Sequence, residues 1–200
     1  MLRTSLRLCR KSSRDECQRS LLIKELPIET ERLWLKSLEV TAAEGSYASW
    51  LADPEVMRFI EIDNAQSDAL SVAAYIDSMN QSPDNYLFGI FTRADGRHIG
   101  NIKLGSIDRA HGRADIGLLI GHRASWGKGY ASEAIAAISE FAGDELHLRR
   151  VFAGCHETNP GSVKAFLKSG FEIEGRLRQH AKDGDEFVDG LVLGRLLKAQ

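Results

Sequence analysis

From Ala114 to Gly121 the chain alternates Ala114, Ile116, Leu118 and Ile120 against Asp115, Gly117, Leu119 and Gly121, the two-residue period of a strand. After the bend Trp126-Gly127-Lys128-Gly129-Tyr130 the period changes. Ala131, Ala134, Ile135, Ile138, Phe141 and Ala142 recur at helical spacing, and Arg150 to Cys155 reads as a strand again. A strand, a helix and a strand joined this closely form a right-handed crossover, so 114–121 and 150–155 are expected as parallel neighbours in one sheet. The bend adds a chemical property. Glycines at 127 and 129 permit positive φ and close approach, so successive amides and the helix N-terminus can converge on one phosphate. The stretch reads as a pyrophosphate cradle.

The rest of the chain supplies a scaffold. A first strand is expected at Arg32 to Leu38, short helices at Ala42 to Ala52 and Pro54 to Phe59, and a helix at Ala69 to Met79. Tyr86 to Thr92 and Ile99 to Ile107 read as a hairpin around Arg93-Ala94-Asp95-Gly96, with the strand from Ala114 next to it. A helix over 160–168 and an antiparallel pair at about 171–181 and 186–197 complete the pattern. A type I′ turn at Asp183-Gly184 would set His180 opposite Phe187 and Arg178 opposite Asp189 as a cross-strand ion pair.

The glycine order excludes two other phosphate loops. A Walker loop needs Ser or Thr after Gly-Lys, and a dinucleotide fingerprint belongs after the first strand, whereas this bend lies past the middle. Trp126, Gly129 and Ala131 fall on the defining positions of a pattern that resembles motif A of the GNAT superfamily, Gln/Arg-x-x-Gly-x-Gly/Ala. Asn159-Pro160-Gly161-Ser162, running through Phe166 to Gly170-Phe171, resembles motif B of its ribosomal-protein N-terminal acetyltransferase (RimJ/RimL-like) branch. Trp126 in place of Arg or Gln, the opening Glu29-Thr30-Glu31-Arg32-Leu33-Trp34-Leu35 and Asp53-Pro54-Glu55-Val56 fit that branch too.

The resemblance implies an α/β (α+β) GNAT fold, a mixed and mostly antiparallel sheet of six to seven strands with a central splayed parallel pair and flanking helices. It implies acetyl-CoA as co-substrate, no metal, and binding at Leu119, Ile120, Trp126, Gly127, Lys128, Gly129, Tyr130, Ala131, Ser132, Asn159 and Ser162. The pantetheine arm would enter the splay as a pseudo-strand, and an N–H beside Leu119 and Ile120 would meet the developing oxyanion.

For proton transfer, the tyrosine that much of the superfamily carries on the motif B helix is Phe166 here, so Ser162 is the expected acid. Asn159 takes the helix N-cap or a cofactor contact. Asp115, eleven residues before Trp126, has the spacing of the catalytic glutamate in the histone-acetyltransferase branch and is the expected base, with His180 as its rival. Where the ribosomal-protein branch can place a glutamate this chain has Ala181. Cys155 has no activating base nearby in sequence and reads as a structural thiol.

With 200 residues, 43% apolar and 27% charged, the chain reads as a basic extension, 1–25, before a single domain, 26–200. Residues 1–19 carry six basic and two acidic groups, +4, so 20–200 hold −6 of the −2 total. That balance argues against a nucleic-acid partner and suits a cationic acceptor. Apolar stretches of strand length exclude a membrane span. Three cysteines, Cys9, Cys17 and Cys155, without metal spacing fit a reduced cytoplasmic protein, monomer or homodimer. The expected reaction is direct acetyl transfer to a primary amine: a protein N-terminus, or a small molecule such as a nucleotide-linked amino sugar. A silent acyl-CoA sensor is the alternative, and Glu61 and Asp63 are possible contacts for a cation.

Overall fold

The computed structural model describes residues 27–60 and 68–198. Residues 1–25, with Cys9 and Cys17, and the pair Glu61 and Asp63 lie outside the described residues. The strands are β1 (Ile28–Glu29), β2 (Leu33–Ser37), β3 (Tyr86–Thr92), β4 (His98–Asp108), β5 (Arg113–Leu119), β6 (Arg150–His156), β7 (Glu172–Asp183) and β8 (Glu186–Leu196). The helices are α1 (Ser46–Leu51), α2 (Pro54–Met57), α3 (Ala69–Gln81), α4 (Tyr130–Asp144) and α5 (Pro160–Lys168).

All eight strands form one sheet in the order β1-β2-β3-β4-β5-β6-β8-β7. β5 and β6 are its parallel pair, joined by α4 as the crossover, and the other neighbours run antiparallel. Alternation divides the side chains between two layers. Leu35, Phe88, Ile102, Ile116, Val151 and Leu193 meet Ile135 and Ile138 of α4 and Phe166 of α5 on one face. Leu38, Leu87 and Leu119 meet Tyr47, Trp50, Val72 and Ile76 of α1 and α3 on the other. Each large apolar side chain so buried contributes about 1.5–3 kcal/mol.

Local chemistry sets the helix starts. Asp68 accepts from Leu70 and Ser71 N–H to begin α3, and Asn159 accepts from Ser162 N–H to begin α5, with Pro160 at the first turn. Asp53 and Pro54 do the same for α2.

Three expectations change. The sheet has eight strands, not six or seven, because the chain adds the two-residue β1 against Trp34 and Leu35. The helix expected over 42–52 breaks at Gly45, whose ψ of −139° leaves the helical region, into a 3-10 turn at Val40–Glu44 and α1. The last hairpin turns one residue later, at Gly184 (φ 65°), so Phe187 faces Lys182 rather than His180. A bulge between Leu177 and Ala181, with Gln179 at φ 50°, then shifts the register again. Arg176, not Arg178, pairs with Asp189 at 3.1 Å, and Gln179 N–H donates to the same carboxylate.

Candidate active site

β5 and β6 begin as partners, Arg113 with Arg150, Ala114 with Val151 and Asp115 with Phe152. Pairing stops there, although both strands run on for four residues, to Leu119 and His156. β5 stays bonded to β4 as far as Leu119, and β6 to β8 as far as His156. Each strand therefore has one satisfied edge, and the two facing edges are open to an extended chain of amides. Leu119 and Ile120 lie at the lip of this split.

The loop that follows is held from inside. A Cβ on Gly121 would stand 1.9 Å from the Trp50 ring, so only glycine lets the backbone lie on that indole. Trp126 Nε1 donates to the Ile120 carbonyl at 2.7 Å, and His122 N–H donates to Ile99 at 3.0 Å. Gly127 and Gly129 take φ of 72° and 81°. Among the described helices of eight residues or more, α4 alone begins without a side-chain cap. The amides of Tyr130, Ala131 and Ser132 are thus left to an outside anion. Lys128 projects an exposed side chain beside them.

On the α5 side, Asn159 Oδ1 accepts the Ser162 amide at 3.1 Å, the N-cap of its two expected roles. Ser162 Oγ is 3.2 Å from Cys155 Sγ, which ties it to the open stretch of β6. Cys155 is 8% exposed, and burial pushes its thiol up against the opposing Ser162 bond, so it stays protonated. Phe166 is 2% exposed and packs edge-on against Phe171, in the core rather than the cleft.

Asp115 sits on the opposite face of the sheet from Ala114 and Ile116, at the last paired position. Its carboxylate meets Lys103 Nζ at 3.1 Å. Tyr75 of α3 faces it, and burial together with the Asp115 charge raises that phenol above its ordinary range. Burial does the same to Tyr47. Ser162 and Asp115 are therefore not adjacent: they flank the split from its two faces. His180 is exposed over Gly190, the partner of His156 at the far end of the split.

Sequence reasoning missed several neighbours. Arg58 clasps Asp183 through Nε at 2.9 Å and Nη2 at 3.1 Å, Thr158 donates to the same carboxylate, and Phe59 meets His156 edge-on. Together they join α2 to the tip of the β7–β8 hairpin at that end. Lys103 beside Asp115 was equally invisible, since it depends on β4 and β5 being neighbours, and so was the Arg32–Glu133 pair, which depends on where α4 packs against the turn before β2. No group of three or more metal-ligating side chains occurs among the described residues, and no described helix is long and apolar enough to cross a membrane.

Residues 32–172 match the acetyltransferase (GNAT) domain family. The chain belongs to the GNAT acetyltransferases. The N-acetyltransferase p20 of Bacillus licheniformis is 32% identical over 173 residues, 86% of this chain and 96% of that protein. The ribosomal-protein-serine acetyltransferase of Escherichia coli is 29% identical over 102 residues, 51% of this chain and 56% of that one. Spermidine N-acetyltransferase from Vibrio cholerae, solved with CoA and spermine, superposes with a TM-score of 0.75 at 18% identity, over 84% of this chain and 96% of that one, a likeness of fold. This GNAT enzyme is an acetyl-CoA-dependent N-acetyltransferase. The uncapped start of α4, the two left-handed glycines and the open edges of β5 and β6 fit the pyrophosphate and pantetheine of that co-substrate.

Proposed function

We propose that this enzyme acetylates the N-terminus of a protein by direct attack of the amine on the thioester. The observation that carries the reading is the split, with Ser162 on one face and Asp115 on the other. With the thioester carbonyl between the open edges, its sulfur lies toward the α4 and α5 side and the amine adds to the carbonyl carbon from the α1 and α3 side, after which the C–S bond breaks. Backbone N–H groups near Leu119 and Ile120 stabilise the oxyanion. Trp126 to Ser132 hold the phosphates, and Asn159 fixes the α5 terminus that presents Ser162. Ser162 gives its proton to the departing sulfur and is reprotonated through water by the second proton that the attacking nitrogen loses. Asp115, whose carboxylate is held by Lys103 Nζ at 3.1 Å, takes the proton of the incoming ammonium through water. The ribosomal-protein acetyltransferase among the relatives and the net −6 of residues 20–200 support a cationic protein terminus as acceptor.

Thiol release from acetyl-CoA, measured with free and N-terminally blocked peptides, polyamines and amino sugars, tests this. Release is expected with free peptides and none with blocked ones. Release with small amines alone would assign the acceptor to that class. CoA binding without release to any of these amines would rule out the protein terminus as acceptor.

A further inference from the structure

The start of α4 is held by a residue 101 positions away in sequence. Glu133, in its first turn, accepts the Thr30 hydroxyl at 2.6 Å and the Arg32 amide at 2.8 Å on Oε1. Its Oε2 accepts Arg32 Nε and Nη2, each at 2.7 Å. Arg32 Nη1 donates to the Lys128 carbonyl at 3.0 Å, and the guanidinium lies 4.8 Å over the Tyr130 ring. A Cβ built on Gly129 would stand 3.5 Å from Arg32 Nη2. One side chain thus touches residues 128, 130 and 133 and borders 129.

Two consequences follow for an anion at the cradle. In a planar trans peptide the C=O and the next N–H point opposite ways, so turning the Lys128 carbonyl to Arg32 sends Gly129 N–H the other way. Glu133 is a negative charge within one turn of the phosphates, where it would repel them. Burial alone would raise its carboxyl, but the Thr30 hydroxyl and the Arg32 amide and guanidinium outweigh that and hold it below the usual range. It therefore stays charged and needs a counter-ion.

We infer that Arg32 is a positioning residue for the phosphates of CoA, fixing the 128–129 peptide with its N–H toward the anion and cancelling the charge of Glu133. The inference rests on the cradle reading of the loop. Calorimetry of CoA and of pantetheine, which lacks the phosphates, tests both separately. In Arg32→Gln, CoA affinity falls by about 10-fold or more, the loss of charge-assisted bonds, while pantetheine stays within about twofold. Arg32→Lys keeps the charge and the packing but not the fork, and shows a smaller loss confined to CoA. Arg32→Lys decides the matter should Arg32→Gln not fold. A wild-type preference for CoA that both variants retain, or an equal loss for both ligands, overturns the role of Arg32. Equal affinity of the wild-type protein for the two ligands overturns the cradle reading, and the role of Arg32 with it.

Discussion

Gly129 combines a φ of 81° with the N-cap position of α4, and a β-branched side chain cannot follow it there. Gly129→Val is expected to lower CoA affinity by about 10-fold or more, whereas Lys128→Ala, which keeps the carbonyl that Arg32 holds, should stay within about twofold by calorimetry. Ser162 gives a sharper test because its amide and its hydroxyl do separate work. The hydrogen bond that Ser162 N–H donates to Asn159 Oδ1 survives Ser162→Ala and only the hydroxyl is lost, so turnover should fall by about 10- to 1000-fold with acetyl-CoA affinity within a few-fold. Full turnover with a lower melting temperature would make the hydroxyl structural. Cys155→Ala should remain active, since a buried, protonated thiol is no nucleophile.

Among the elements, α4 carries part of the core on its inner face and, in the proposed reading, the phosphate cradle at its start. Ile138 is fully buried on its inner face, so Ile138→Ala should cost about 2–5 kcal/mol in denaturant unfolding while the folded fraction binds CoA as before. In the proposed arrangement the clasp between α2 and the β7–β8 hairpin lies on the acceptor side. Arg58→Ala should raise the acceptor KM several-fold and leave the acetyl-CoA KM unchanged; equal changes in both would place the clasp outside acceptor binding. Bonds from Arg58 and then Thr158 hold the Asp183 carboxyl below its usual range. The clasp's contribution is therefore complete above the unfolded carboxyl value, about 3.9, and is lost only as pH falls through the lower folded value. The clasp therefore does not titrate between pH 5 and 8, and the ratio of the acceptor KM of Arg58→Ala to that of the wild-type protein should stay constant across that range.

At the scale of the molecule, the contacts that fix the cradle begin at Thr30, so a chain starting at Leu26 keeps Thr30 and Arg32. It should match the full chain in melting temperature and turnover; a large loss in either would show that residues 1–25 dock on the domain. The sequence by itself determined the parallel pair, the crossover helix, the glycine bend and the Asn159 cap. Those features are written locally, in two- and 3.6-residue periods and in residues that tolerate positive φ or cap a helix. Tertiary structure alone decided that Arg32 meets Glu133, that Lys103 pairs with Asp115 and that Arg176 makes the ion pair with Asp189 expected of Arg178. Arg32 meets Glu133 because α4 packs over the turn before β2, Lys103 meets Asp115 because β4 and β5 are neighbours, and Arg178 loses its expected place because the ladder breaks between Leu177 and Ala181.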